Sequence, residues 1–82
     1  MKSVSYSRDA VKSLRRHKGD AGRIQKVIDE YAAETGAHAN SVTRLVGSKA
    51  SRLRVGDFRV IFEESESTIA VTKIGPRGSI YD

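Results

Sequence analysis

The sequence predicts an α+β fold: a short N-terminal strand and a helical hairpin packed on one face of a four-stranded, mainly antiparallel sheet. Three observations predict it. Apolar residues recur with a period near 3.6 between Ala10 and Ala32, then with a period of 2 beyond the Ala-, Asn- and Ser-rich loop after Gly36. The alternating runs are joined by turns too short for a crossover, so successive strands must be antiparallel neighbours. With 82 residues, 38% of them hydrophobic, and no cysteine, the chain is expected to be one domain, residues 1–82, burying one modest core without disulfides to reinforce it.

Each element has a local cause. Val4 and Tyr6 alternate with serines in a first strand, Ser3 to Tyr6. Ser7 can cap a helix reaching about His17, with Ala10, Val11 and Leu14 on its apolar stripe. Gly19 is expected to end it and Asp20 to cap the next helix, which carries Ile24, Val27, Ile28, Tyr31 and Ala32 on one face and stops near Gly36. So short a joint predicts an antiparallel helix pair. The period-2 runs are VTRLVG, SRLRV, FRVIFEE and TIAVTKIG, with a short terminal extension from Ser79 to Tyr81. Gly56-Asp57 reads as a tight hairpin turn, and Glu64 to Ser67 as a second turn. In TIAVTKIG the phase conflicts, because Ile69 and Val71 fall on one side and Ala70, Thr72 and Ile74 on the other. That strand is either covered on both faces or carries a bulge.

Alternation also sorts the arginines of SRLRVGDFRVIF. If Leu53, Val55, Phe58, Val60 and Phe62 face the helices, then Arg52, Arg54 and Arg59 converge on the opposite, open face. Each guanidinium is always charged and presents a rigid fork of donors suited to phosphate oxygens. A solvated strand face that uses arginine for its long apolar stem gives the same pattern.

Fifteen Lys and Arg against ten Asp and Glu give a net charge of +5, as expected of a protein that meets polyanions. The excess gathers in the Arg-rich hairpin and the first helix, where Lys12, Arg15 and Arg16 are candidate RNA contacts, the alternative being a solvated face. The N-terminal stretch lacks the apolar run of a signal peptide, and no segment approaches the roughly 20 apolar residues of a membrane span. A cytoplasmic protein without a membrane partner is expected. His17 and His38 lack partners at metal-ligand spacing, and no phosphate-cradling glycine loop is present, so no metal or cofactor is expected. Their readings are a favourable charge at a helix end for His17 and a helix-end or surface role for His38.

The terminal KIGPRGSIYD puts Arg77 in a Gly-Pro-Arg-Gly turn built to aim a side chain, with Tyr81 four residues on. A tyrosine near a terminus is usually a packing anchor. Beside arginines it is also a proton-transfer candidate, since positive charge favours the phenolate.

With RLRVGDFRVIF followed by IGPRGSIY, the whole chain resembles the RelE/ParE superfamily of bacterial type II toxins. The resemblance implies a RelE-like fold and a cognate antitoxin, encoded next to the toxin, that wraps it. It also implies binding of operator DNA only through that complex. The RelE branch cuts mRNA in the ribosomal A site, a metal-independent endoribonuclease activity that inhibits translation. Carried over, its catalytic roles fall on Arg59, Arg77 and Tyr81, and its phosphate-binding roles on Arg52 and Arg54. The branch prototype has lysines at the last two places; arginine cannot exchange a proton as lysine can, which leaves the base to Tyr81 or to the ribosome. The ParE branch shares the hairpin and inhibits DNA gyrase without cutting nucleic acid. It remains the alternative, as does an inactive toxin-fold partner of an antitoxin. The GPRGSIY ending favours the nuclease branch.

Overall fold

A computed structural model describes residues 1–80, with elements in the order β1 (Ser3–Tyr6), α1 (Arg8–Arg16), α2 (Lys18–Ala33), a 3-10 turn (Ala39–Ser41), β2 (Val42–Arg44), β3 (Ala50–Val55), β4 (Phe58–Glu64) and β5 (Thr68–Pro76). The α+β class is as expected, but the sheet has five strands rather than four, in the order β1-β5-β4-β3-β2. The N-terminal strand supplies the fifth. It does not lie on a sheet face; it pairs parallel to β5, with Val4 opposite Ile69 and Tyr6 opposite Val71. The reason is hydrogen bonding: an isolated strand leaves its backbone groups unpaired, and the β5 edge satisfies them while Val4 and Tyr6 extend the apolar face.

Ser7 caps α1 as expected, its hydroxyl oxygen accepting from the Ala10 N–H at 3.0 Å. The joint between the helices differs. α1 and α2 meet at His17, whose carbonyl accepts from the N–H groups of Asp20 and Ala21, so Gly19 and Asp20 lie inside the first turn of α2 instead of between the helices. Gly19 has no left-handed φ with which to terminate a helix. Asp20 still favours the helix start, through its charge rather than as a cap. Of VTRLVG only Val42–Arg44 is strand, because the chain turns through Gly47 at φ +72° and the Leu45 N–H returns to the Ala50 carbonyl at 3.0 Å. The expected terminal extension is likewise a turn at Ser79 and Ile80, with the Ser79 N–H donating to the Pro76 carbonyl at 3.1 Å; Tyr81 lies outside the described residues.

Both helices cover the same sheet face. Ala10 and Leu14 of α1 and Ile24, Ile28, Tyr31 and Ala32 of α2 close over Leu53, Val55, Phe58, Val60, Phe62, Ile69, Val71 and Ile74 in one continuous core. The phase conflict in β5 is resolved by a bulge. Phe62 stands opposite Val71 but Ile61 opposite Lys73, leaving Thr72 as the extra residue. Its hydroxyl donates to the Ile61 carbonyl at 3.2 Å, and its own carbonyl accepts from the Ser7 hydroxyl at 2.7 Å. Ile74 thereby returns to the core, while Lys73 and Gly75 pass to the open face.

At the far end of the sheet, the Tyr31 hydroxyl donates to Glu64 Oε1 at 2.6 Å, and the Lys2 ammonium binds Glu64 Oε2 and the Ser65 carbonyl. This ties α2, the N-terminus and the β4–β5 turn together. Burial pushes the Glu64 carboxyl up, but the hydrogen bonds from Lys2 and Tyr31 and the Lys2 charge outweigh it and hold the group below its ordinary 4.5. Burial and the same carboxylate push the Tyr31 phenol up to about 12. A depressed carboxyl stabilises the fold above its unfolded pKa and loses that contribution as pH falls through the folded value; a raised phenol loses its contribution as pH rises from about 10 to about 12. Glu64→Ala should cost about 1–2 kcal/mol in denaturant unfolding at neutral pH. Its deficit against the unsubstituted protein should shrink as pH falls below 4.5. A deficit that is unchanged in acid would show that the carboxylate is not the source.

Candidate functional site

The open face is built row by row from the pairing register. Thr43, Arg52, Ile61 and Lys73 stand side by side on β2, β3, β4 and β5, and the next row is Arg54, Arg59 and Gly75. Because Leu53, Val55 and Val60 are buried under the helices, their neighbours in sequence face the other way. The expected convergence is present: Arg52, Arg54 and Arg59 line one depression of about 80 Å³, together with Asn40, Ser41 and Thr43. A depression lined by three guanidinium groups can seat a phosphate group.

Arg59 departs from the expectation of a solvated side chain, since it is 8% exposed. Its Nη1 donates to the carbonyls of Gly56 at 3.1 Å and Phe58 at 3.0 Å, so the guanidinium is fixed by the turn that precedes it. Arg54 is directly opposite Arg59, a like-charge pair that is unfavourable on a sheet face. Among the described residues neither arginine forms a salt bridge to a carboxylate. Backbone dipoles orient Arg59, and no described carboxylate offsets the charge of the pair.

The Gly56-Asp57 turn gathers further arginines. Gly56 has φ +57°, a conformation that favours glycine; a Cβ there would lie 2.9 Å from the Arg23 guanidinium, a contact that this exposed, flexible side chain can relieve by shifting. The Arg77 N–H donates to the Asp57 carbonyl at 2.7 Å, anchoring the Pro76–Ser79 turn beside the hairpin tip. The Arg77 side chain is exposed and does not line the arginine depression. Lys12 and Arg16 border a different cleft of about 350 Å³ with His17 and Lys73, between α1 and the end of β5; Arg15 is exposed and lines neither. His17 packs edge-on against Phe58 with ring centroids 5.0 Å apart, and His38 pairs with Glu30 at 2.9 Å, so each has a structural task. Tyr81 is outside the described residues.

Sequence reasoning passed over Lys73 and the polar trio Asn40, Ser41 and Thr43. For Lys73 a signal existed, since the phase conflict in TIAVTKIG is the bulge that turns it outward. The trio gave none, because it reaches the site through long-range packing. Chemically the depression can bind and neutralise a phosphodiester and brace charge that builds on it. A guanidinium cannot take up a proton.

No protein-family model matches the chain, and no curated protein matches it in sequence. Its fold is shared by solved structures. YafQ from E. coli strain BL21(DE3) is similar over 100% of both chains, with TM-score 0.81 at 12% identity, a likeness of fold alone. The RelE–RelB complex from Pyrococcus horikoshii OT3 is similar over 94% of this chain and 96% of that one, with TM-score 0.76 and 27% identity. The RelB–RelE antitoxin–toxin complex from Methanococcus jannaschii is similar over 95% of each chain, with TM-score 0.74 and 25% identity. The resemblance seen in the sequence is therefore matched in the fold, which is RelE-like and similar to that of toxins solved in toxin-antitoxin complexes.

Arg59 and Arg54 should separate on substitution. Arg59→Ala removes buried hydrogen bonds to turn carbonyls and should lower unfolding stability by about 1–3 kcal/mol. Arg54→Ala relieves a like-charge pair on an exposed strand and should change stability by less than about 0.5 kcal/mol, in either direction. Chemical denaturation of the two variants checks this, and equal losses would contradict the buried, backbone-held placement of Arg59.

Proposed function

We propose that this RelE-like chain acts as the toxin of a type II toxin-antitoxin system by cutting translated mRNA in the ribosomal A site. The observation that carries this reading is the depression where Arg52, Arg54 and Arg59 meet, with no salt-bridged carboxylate on Arg54 or Arg59 among the described residues. In RNA cleavage without a metal, the 2′-oxygen attacks phosphorus as a base removes its proton, and the 5′-oxygen leaves as an acid returns one. Arg52 and Arg54 hold the scissile phosphate. Arg59, already fixed by the Gly56 and Phe58 carbonyls, meets the charge that builds on the phosphorane without first having to reorganise. Arg77, at the rim of the hairpin, adds positive charge at the leaving side, and Tyr81 exchanges the proton. Lys12, Arg15 and Arg16 of α1 supply sequence-independent contacts to ribosomal RNA.

The partners follow from the same reading. A small antitoxin, encoded next to this chain, covers the arginines, and operator DNA is bound only by the toxin-antitoxin pair. The protein works in the cytoplasm, where the ribosomes are, as a single domain over residues 1–82. One observation favours a second reading, a ParE-like inhibitor of DNA gyrase: none of the described side chains lining the arginine depression can accept a proton at neutral pH.

The deciding measurement is a map of mRNA 5′ ends on translating ribosomes after induction. Cuts within A-site codons are expected, with Arg77→Ala and Tyr81→Phe lowering the rate by about 100-fold or more. Intact messages together with a loss of DNA supercoiling would overturn the nuclease reading.

A further inference from the structure

The cleft of about 350 Å³ between α1 and the end of β5 shares no lining residue with the arginine depression. α1 runs along β5 because both of its ends are held there. At its start the Ser7 hydroxyl donates to the Thr72 carbonyl at 2.7 Å, and at its end His17 packs edge-on against Phe58, which stands opposite Pro76. Beyond Val71, β5 is paired only with β4, so its edge along the cleft has no strand partner. A third wall is the C-terminal turn, through Ser79 and Ile80. Gly75 lets that turn return against β5, since a Cβ there would meet Ile80 Cδ1 at 3.2 Å.

The helix presents a polar stripe to this cleft: Asp9, Lys12, Ser13 and Arg16, at the three- and four-residue spacing of one helix face. A solvated helix face has the same pattern, and cations in a last helical turn are favourable in any case. The opposite wall argues for more. Lys12 and Arg16 already repel each other as like charges one turn apart, and Lys73 of β5 brings a third cation to the same hollow. Among the described residues none of the three forms a salt bridge, although the carboxylate of Asp9 borders the same cleft. Three cations against one carboxylate leave a charge of +2. Ser13, only 8% exposed, adds a hydroxyl between Lys12 and Arg16, and Pro76 and Ile80 add apolar surface.

This set of groups describes a ligand. The Arg16 fork and the Lys12 ammonium suit neighbouring phosphates. A carboxylate only accepts hydrogen bonds, so Asp9 calls for hydroxyl groups on the ligand. Pro76 and Ile80 call for a ring to lie against them. The volume falls within the range of small-molecule sites, about 300–1,000 Å³. An acidic peptide matches the cations, but Asp9 repels it. We propose that the α1–β5 cleft binds a small phosphate ester of nucleotide size, with a diphosphate on Lys12, Arg16 and Lys73, sugar hydroxyls on Asp9 and a ring against Pro76 and Ile80. Binding at this site goes beyond the nuclease reading and does not depend on it. One consequence does rest on that reading: Lys12 and Arg16 are the proposed contacts to ribosomal RNA, so a filled cleft competes with the ribosome and the ligand is an inhibitor.

Isothermal titration calorimetry of the full chain, with ADP as the probe, tests the site. ADP should bind, and pyrophosphate should bind about 10-fold more weakly. Lys12→Ala and Arg16→Ala, at exposed positions whose folding thermal melting checks, should each weaken ADP about 10-fold, as for loss of a charge-assisted hydrogen bond. Asp9→Ala should split the two ligands, strengthening pyrophosphate by removing a negative charge and weakening ADP by removing a hydroxyl acceptor. Arg54→Ala should leave ADP binding within about twofold, as expected for a residue outside the site. No binding of ADP at millimolar concentration, or binding that depends on Arg54 and not on Lys12, overturns the proposal. So does pyrophosphate that binds as tightly as ADP, or a 5′-phosphorylated oligoribonucleotide that binds far more tightly than ADP in a Lys12-dependent way, which assigns the cleft to RNA. Cosedimentation with ribosomes separates the consequence from the site. Saturating ADP should release the chain from ribosomes, and a chain that stays bound overturns the competition. A chain that never sediments with ribosomes overturns the ribosomal reading and the inhibition with it, while the titration still decides the cleft.

Discussion

A single extra residue in the central part of β5 decides how this molecule divides into a packed side and a working side. Without the bulge at Thr72, strict alternation after Ile69 and Val71 would leave Ile74 facing water and drive Lys73 into the core, a cost of several kcal/mol for the buried charge alone. The bulge is held from two directions. The Thr72 hydroxyl bonds the Ile61 carbonyl on β4, and the Thr72 carbonyl accepts the Ser7 hydroxyl, whose oxygen also caps α1. The Ser7 N–H bonds the Val71 carbonyl as well. The start of the first helix, the end of the parallel β1–β5 pairing and the phase of β5 are therefore one coupled arrangement.

The open face built on that arrangement is electrostatically unfavourable by itself. Arg54 and Arg59 stand directly opposite each other, and Arg59 is almost wholly buried. The hairpin turn makes this tolerable: Gly56, in a left-handed conformation, and Phe58 direct their carbonyls at Arg59 Nη1. Carbonyl dipoles orient a cation without neutralising it, whereas a carboxylate would satisfy it and occupy the site. The other end of the sheet shows the contrast, since there Lys2 is balanced by Glu64 and Glu64 is shared with Tyr31. Charge is compensated at the Glu64 clamp, whereas at the Arg54–Arg59 pair no carboxylate among the described residues offsets it.

Much of this was legible in the residues. The 3.6-residue period of the helices, the Ser7 cap, and the in-out alternation of β3 and β4 all depend on neighbours within a few positions, and the structure has them where the pattern put them. The joint at His17 was misread because Gly19 and Asp20 form a familiar stop-start pair. Nothing local signals that Gly19 keeps ordinary backbone angles inside a helix. The strand expected over VTRLVG was overextended for a similar reason, since alternation continues into residues that the Gly47 turn removes from the sheet.

By itself the sequence determined which residues oppose each other in polarity along each element, and so that Arg52, Arg54 and Arg59 would share a face. Only the tertiary structure decided which of them is buried, where β1 finds its partner, and that Lys73 stands in one row with Arg52. Periodicity constrains a side chain relative to positions a few residues away. Strand partnership, the phase of a bulged strand and the desolvation of Arg59 are set by segments distant in sequence, such as Ser7 with Thr72 and Ser3 with Thr68. These depend on which distant surfaces pack together, and that information is not carried by any window of neighbouring residues.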